Sequence, residues 1–175
     1  MIHIIPTDTC YGLACSLSDE IGYRSIYAIK GRNFSKPLAQ VVETFDIIAK
    51  YASITDEQVL FLKQYPHPFT LLAVPKDGAF PSFIDPHRTE FALRVAEVCL
   101  DSSLRAKLPF PLFLTSANRS GEKECQSALE CEKLLADSGV EYTMIGGGII
   151  KNPPSDIFSF VGETTEIEYV SRNYG

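Results

Sequence analysis

Short apolar runs of strand length alternate along the chain with segments whose apolar residues recur at helical spacing. The strand-length runs are rich in Ile, Leu, Val and Phe and are bounded by Pro, Gly or small polar residues, as expected for strands. We predict strands over 2–6, 37–43, 69–75, 90–96 and 111–117, and shorter ones in the tail segments EYTMIG, DIFSFV and EIEYVS. This alternation predicts an α/β fold with an open, twisted, mixed sheet flanked by helices.

Helix starts are marked by hydroxyl residues at the head of acidic or amphipathic segments. Ser18 is followed by two acids, so its hydroxyl can accept orphan N–H groups, and we predict a helix from there to about Lys30. Thr55 and Gln58 form a capping box that opens a helix through about residue 64. Further helices are expected near 44–51, near 101–107 and over 126–137.

The composition is that of an ordinary globular protein, with 45% hydrophobic and 22% charged residues. A length of 175 residues favours a single domain, 1–175, with enough chain to bury a core. The formal net charge of −6 disfavours a protein whose main ligand is nucleic acid, because phosphate binding needs clustered cations.

The sequence also predicts where the protein works. No run approaches the ~20 apolar residues of a membrane helix, and the first residues lack the features of a signal peptide. The five cysteines form no paired C-x-x-C site and have three His to complement them, so we expect no structural zinc. We interpret the cysteines as free thiols of a cytoplasmic protein with no membrane partner.

The segment IIPTDTCYGLAC, residues 4–15, follows the first predicted strand with hydroxyls, an acid, a Tyr and a Gly. Pro and small polar residues after a strand usually form a turn. The alternative is that Thr7, Asp8, Thr9 and Tyr11 line a pocket. Composition alone favours the turn.

The densest cationic segment is AIKGRNFSKP, which holds Lys30, Arg32 and Lys36. Lys30 lies at the predicted end of a helix, where the helix dipole favours cations and side chains are usually solvated. The alternative is an anion site, because Gly31 separates two cations and would let backbone amides and both charges face a polyphosphate. The residues of this segment leave both interpretations open.

Two further features combine polar residues with apolar strands. LFLTSANRSG, residues 112–121, ends a predicted strand with hydroxyl and amide groups, which is where open α/β sheets bind ligands, although caps and turns use the same residues. Arg94 lies within FALRVA, so it either reaches solvent at an edge or meets a carboxylate or phosphate. Ser155 and Arg172 are polar residues of the tail without a distinctive pattern of their own.

Other common chemistries are not indicated. The chain has no G-x-x-x-x-G-K-[ST] or G-x-G-x-x-G segment, and IGGGI has the wrong spacing for either. It has no G-x-S-x-G elbow, and its three His lie in motif-poor segments. We expect no covalent nucleophile.

Three segments, taken in order, resemble the YrdC-like family of L-threonylcarbamoyl-AMP synthases. PTDTCYGLAC is similar to that family's opening PT-[ED]-T-x-YGL, IYAIKGR…KPLAQVV to its K-x-R…PL segment, and LTSANRSG to its SAN-x-SG segment. Thr7 and Lys30 stand 23 residues apart, and the likeness covers nearly the whole chain. With no further segment after it, the chain resembles the short, one-domain form of the family.

The resemblance implies a fold and a reaction. The fold is a twisted, largely parallel and mixed sheet around a concave, positively charged cleft. The reaction joins L-threonine, bicarbonate and ATP into threonylcarbamoyl-AMP and pyrophosphate, with Mg²⁺ carried by the triphosphate. The adenylate then passes to a tRNA-modifying threonylcarbamoyl transferase complex that acts on adenosine 37 of tRNA, with at most a weak contact between tRNA and this protein.

The resemblance also implies site residues. The catalytic set, which contacts the ATP phosphates, comprises Lys30, Arg32, Ser116 and Asn118. Arg172 aligns with a later ATP-facing position. The threonine-binding positions are Thr7, Arg94 and Ser155, with Arg94 expected on the carboxylate because a planar guanidinium suits a bidentate partner. No protein ligand for a metal is implied.

Departures from the family pattern fall mostly at the threonine end. Asp8 stands where Glu is commoner, HPFTLLAV replaces a PG-P-[LV]-T stretch, and LRVAEV lacks a Pro; Asp8 has no assigned role. The alternative function is a non-catalytic nucleotide- or RNA-binding module of the same family. A third, carbamoyl transfer within a larger maturation protein, is disfavoured because no acylphosphatase or zinc-finger segment is present.

Overall fold

A computed structural model describes residues 1–175 and contains nine strands in one sheet. The strands are β1 (Ile2–Pro6), β2 (Tyr11–Ser16), β3 (Ala39–Val42), β4 (Phe69–Ala73), β5 (Phe91–Val95), β6 (Leu112–Ser116), β7 (Tyr142–Met144), β8 (Asp156–Phe160) and β9 (Ile167–Ser171). The helices are α1 (Glu20–Lys30), α2 (Ile48–Tyr51), α3 (Asp56–Gln64), α4 (Ala96–Cys99), α5 (Ser102–Arg105) and α6 (Ala128–Leu135), and Phe45–Ile47 forms a 3₁₀ turn. No helix is long and apolar enough to span a bilayer.

The sheet is open and mixed, in the strand order β7-β1-β2-β6-β3-β5-β4-β8-β9. The pairs β1–β7, β3–β5 and β4–β8 are parallel, and the other five pairs are antiparallel. The expected open mixed sheet is therefore confirmed, but a largely parallel sheet is wrong. Short connections such as the one between β1 and β2 favour antiparallel pairing, because parallel neighbours need long crossovers.

Every predicted strand forms, with ends within two residues of those expected. The helix predicted from Ser18 begins instead after Asp19, whose carboxylate accepts the N–H of Gly22 at 2.8 Å. The Ser18 hydroxyl is bonded instead to that of Ser16 at 3.0 Å. The capping box of Thr55 and Gln58 forms as predicted.

Strand β2 and helix α4 were not predicted. β2 is buried along nearly its whole length between β1 and β6, so it lacks the alternation that marks a half-exposed strand. A Cβ added at Gly12 would lie 2.6 Å from the Leu114 side chain and 3.2 Å from the Thr115 carbonyl oxygen. The absence of a side chain at Gly12 thus permits close packing of β2 against β6.

Apolar side chains of the helices cover the sheet in three clusters. α1 and α6 pack with β1, β2 and β6, and the segment from the 3₁₀ turn to α3 packs with β4, β5 and β8. α4 and α5 pack with other side chains of β2, β3 and β6. The central strands are therefore fixed by packing, and the polar groups at their ends are held in place.

Candidate active site

A cleft with a cavity volume of about 340 Å³ crosses the middle of the sheet. Its walls come from the β1–β2 turn, the segment after α1, strands β3 to β6, and the segment leading into β8. Five of the predicted site residues line it: Thr7, Arg32, Arg94, Ser116 and Ser155.

Lys30 lies behind one end of this cleft rather than on its wall. The side chain is buried, with 2% of its surface exposed. Its three N–H groups have four oxygens within hydrogen-bond distance of Nζ: Asn118 Oδ1 at 2.6 Å, the Ser116 carbonyl at 2.7 Å, the Asn118 carbonyl at 3.2 Å and Ser116 Oγ at 3.4 Å. Burial, reinforced by the nearby charge of Arg32, lowers the pKa of Lys30 to about 8.

The local fold explains why Lys30 points inward. Gly31 ends α1 in the left-handed conformation, with φ of 59°, which Gly adopts at no steric cost. The chain then turns sharply, and the Lys30 carbonyl accepts the N–H of Ser120 at 2.8 Å. The end of α1 is thereby joined to the loop after β6.

Ser116 and Asn118 are also bonded to each other. Ser116 Oγ donates to Asn118 Oδ1 at 2.7 Å, and Asn118 Nδ2 donates to the Glu122 carbonyl at 2.7 Å. Three of the four residues in the predicted catalytic set thus form one bonded cluster, and only Ser116 of the three reaches the cleft wall.

Arg32 is half-buried and lines the same end of the cleft. Its Nε donates to the Lys36 carbonyl at 3.2 Å and its Nη2 to the Pro37 carbonyl at 3.0 Å. These bonds hold the turn after α1 around the guanidinium. Glu124 lines the cleft as well, so the wall contains an acid in addition to its cations.

Arg94 also lines the cleft and is 7% exposed. Its Nη2 donates to Asp8 Oδ1 at 2.7 Å and its Nε to the Phe69 carbonyl at 3.2 Å. Burial raises the pKa of the Asp8 carboxyl, and the adjacent Arg94 charge opposes that rise. The ion pair gives Asp8 a contact that the sequence did not indicate.

Two hydroxyls face each other close to Arg94. Thr70 Oγ1 and Ser155 Oγ are 2.8 Å apart, and both residues line the cleft. Strands β4 and β8, which pair in parallel, bring them together. Thr70 was not predicted, although a polar residue inside the apolar run FTLLAVP was a visible signal.

Thr7 belongs both to a turn and to the cleft wall, the two alternatives for the segment of residues 4–15. Its hydroxyl donates to the Cys10 carbonyl at 2.7 Å and accepts the N–H groups of Thr9 at 3.2 Å and Cys10 at 3.3 Å. These bonds define a tight turn, and the same turn forms part of the cleft wall. The segment is therefore both a turn and one wall of a pocket.

Arg172 lies outside the cleft. It is exposed after β9, with its guanidinium carbon 4.9 Å from the centre of the Tyr169 ring. The residues after it fold back instead: the backbone N–H groups of Asn173 and Tyr174 donate to the buried carboxylate of Asp156 at 2.6 and 3.1 Å. These hydrogen bonds thus join the last residues of the chain to Asp156 at the start of β8, the residue that follows Ser155.

Fold and site together define a class: an α/β protein whose mixed sheet carries a cleft lined by two arginines, Arg32 and Arg94. The family model named Sua5/YciO/YrdC, described as "Telomere recombination", matches residues 1–169. The chain belongs to this family, as its three motifs predicted.

Similar proteins include threonylcarbamoyl-AMP synthases. That of Methylobacillus flagellatus is 31% identical over 132 residues, which are 74% of this chain and 73% of that protein. The mouse protein of the same name is 30% identical over 130 residues, which are 46% of its length. The chain thus spans about half the length of the mammalian relatives it matches.

Solved structures confirm the fold. Escherichia coli YciO superimposes with a TM-score of 0.79 at 18% identity, over 99% of this chain and 84% of that one. P. abyssi Sua5, solved in complex with L-threonine, gives 0.73 at 23% identity, over 91% of this chain and 47% of that one.

Proposed function

We propose that this protein is an L-threonylcarbamoyladenylate synthase, a nucleotidyltransferase that forms threonylcarbamoyl-AMP and pyrophosphate from L-threonine, bicarbonate and ATP. The observation that carries the proposal is that one cleft joins the Lys30–Ser116–Asn118 cluster and Arg32 to a second arginine, Arg94. The names of the relatives that share the family support the same reaction.

The chemistry needs positioned charges rather than a protein nucleophile. The amine of threonine condenses with bicarbonate to a carbamate, releasing water. A carbamate oxygen then attacks the α-phosphorus of ATP, and pyrophosphate leaves with the electron pair of the broken P–O bond. The protein must hold two anions in line and offset the charge that develops on the leaving group.

The end of the cleft near α1 is proposed to hold the triphosphate. Arg32 and Ser116 line the cleft there and can contact phosphate oxygens directly. The ammonium of Lys30 contributes its charge and holds Ser116 and Asn118 in place. Glu124 is a carboxylate of this wall and would help to hold Mg²⁺ carried by the triphosphate, because proteins usually bind that ion through one or two carboxylates plus substrate phosphates.

The opposite end is proposed to hold threonine. Arg94 can pair with the α-carboxylate through its guanidinium. The hydroxyls of Thr70 and Ser155 lie close to it and can bond the β-hydroxyl of the substrate. Thr7 shapes the wall between the two ends. Arg172 is left out of this proposed site, because it lies over Tyr169 instead.

The proposal extends to the fate of the product and the place of synthesis. The adenylate passes to a tRNA-modifying threonylcarbamoyl transferase complex, for modification of adenosine 37, and tRNA itself makes at most a weak contact with a chain of net charge −6. The five free thiols suit the reducing cytoplasm as the place of work. Residues 1–175 act as one domain, since one sheet carries both ends of the cleft.

Pyrophosphate release from ATP tests the proposal. Purified protein should release pyrophosphate only when threonine and bicarbonate are both present. The alternative, a non-catalytic nucleotide- or RNA-binding module, would bind ATP without any threonine-dependent release. A release rate that does not change when threonine is omitted contradicts the synthase.

A further inference from the structure

Asp8 and Arg94 form an ion pair across the sheet, although 86 residues separate them. Their side chains are 19% and 8% exposed. Arg94 lines the cleft, whereas Asp8 is not among the residues of its wall. Asp8 therefore contacts the guanidinium without itself forming part of the cleft wall.

The protein uses only part of the hydrogen-bonding capacity of Arg94. Its Nε–H donates to the Phe69 carbonyl, and one N–H of Nη2 donates to the Asp8 carboxylate. Nη1 makes no hydrogen bond within the protein. It is nevertheless accessible, because the only buried side-chain nitrogen or oxygen without a hydrogen-bond partner is Nε of Arg105. The N–H groups of Nη1 and the second N–H of Nη2 remain for a ligand.

Asp8 itself is held by its backbone. Its N–H donates to the carbonyl of Cys99, at the end of α4, at 3.0 Å. Its carbonyl accepts an N–H of the Asn152 side chain at 2.8 Å, and Asn152 lines the cleft. The carboxylate thus stands on a fixed main chain and can fix the guanidinium in turn.

We infer that Asp8 is a positioning residue for the amino-acid substrate: it acts through Arg94, aiming the free N–H groups of the guanidinium into the cleft to receive the α-carboxylate. This inference rests on the proposed function. Without Asp8, Arg94 keeps only one of its two protein contacts, and the donors for the substrate lose their fixed direction.

The first test measures KM for threonine in three single variants. Asp8→Asn keeps the shape and removes the charge; it should raise the threonine KM about tenfold and leave the ATP KM within about twofold. Asp8→Glu restores the charge and should recover most of the threonine affinity. Glu20→Gln is the matched control, because it removes a carboxylate from an exposed pair with Arg24, and it should behave like the wild type.

The second test separates action through Arg94 from a general structural effect. In an Arg94→Gln background, adding Asp8→Asn should cause no further rise in the threonine KM, because the group through which Asp8 acts is already gone. The double variant also leaves no unpaired buried charge, so it remains informative if Asp8→Asn alone does not fold.

Three results would overturn the inference. The first is an unchanged threonine KM in Asp8→Asn. The second is a lower threonine KM in that variant, which would mean that Asp8 competes with the substrate for Arg94. The third is a double variant in which the losses of the two single variants add. Failure of the proposed function looks different, because then the wild type itself shows no threonine dependence, and that result overturns both.

Discussion

Nζ of Lys30 lies 2.6 Å from Oδ1 of Asn118, and this contact joins the end of α1 to the loop after β6. The ammonium is surrounded by four oxygen acceptors and is nearly inaccessible to solvent. A lysine at a helix end is usually solvated, whereas here the hydrogen bonds of the buried Nζ join α1 to the loop that carries Ser116.

Replacing Lys30 tests this double role. Lys30→Met keeps the apolar stem and removes the ammonium, so the oxygens around it lose their donor. Turnover should fall by about 10² or more, as when a preorganised charge is lost elsewhere, and the fold should persist with its free energy of unfolding lowered by about 1–3 kcal/mol. Steady-state kinetics measure the turnover, and thermal melts measure the stability. Turnover at the wild-type rate in Lys30→Met would exclude Lys30 from the catalytic set.

Affinity for ATP should depend on pH through the same residue. The pKa of Lys30 is lowered from 10.5 to about 8, so the free protein loses this positive charge as pH rises through 8, and ATP should bind more weakly above that pH. In Lys30→Arg the charge persists and the dissociation constant should be nearly flat from about pH 6.5 to 9.5. Calorimetric titration with ATP at each pH measures the dissociation constant. If this constant changes with pH equally in the wild type and in Lys30→Arg, a group other than Lys30 causes the pH dependence.

Stability should respond to pH in the opposite sense. Because the folded-state pKa of Lys30 lies below its ordinary value, holding the charged form costs stability below about pH 8. That cost is relieved as pH rises towards 10.5, where the unfolded chain also loses the proton. Urea unfolding at pH 7.5 and 9.5, compared between the wild type and Lys30→Met, isolates this contribution, since the variant lacks it.

Thr70 should decide whether a substrate hydroxyl is recognised. Thr70→Val keeps the shape and removes the group bonded to Ser155 at 2.8 Å. The preference for threonine over 2-aminobutyrate, expressed as a ratio of kcat/KM, should drop about tenfold or more, because a site that bonds a hydroxyl rejects the analogue without it. Thr143→Val on edge strand β7 is the control, and an unchanged ratio in Thr70→Val would exclude the role.

Arg172 should be dispensable for ATP. Its guanidinium lies over the Tyr169 ring at the far edge of the sheet, so Arg172→Ala should change the ATP KM by no more than about twofold. Arg32 lies on the cleft wall, so Arg32→Ala is the matched comparison and should raise the ATP KM strongly. A large effect of Arg172→Ala would mean that the tail reaches the nucleotide during turnover.

Local patterns predicted most of the fold, because apolar runs and caps are properties of neighbouring residues. Two elements were missed: β2, which is buried along nearly its whole length and so lacks the alternation of a half-exposed strand, and α4, which is only four residues long. The cap of α1 is Asp19 rather than the neighbouring Ser18, whose hydroxyl is bonded to Ser16; both residue types are good caps, so the sequence did not distinguish them.

The site was predictable only as a set of residues. The motifs named Arg32, Ser116, Arg94 and Ser155, which line the cleft, but not their partners. The contacts of Arg94 with Asp8 and of Thr70 with Ser155 join residues 86 and 85 positions apart, and only the order of strands in the sheet brings them together.

The most direct measurement of the central claim is pyrophosphate release from ATP by the purified wild type, with threonine and bicarbonate supplied together or singly. The proposed synthase predicts release only with both, together with a threonylcarbamoyl-AMP product detectable by mass. Release that is independent of threonine, or ATP binding without any release, would contradict it.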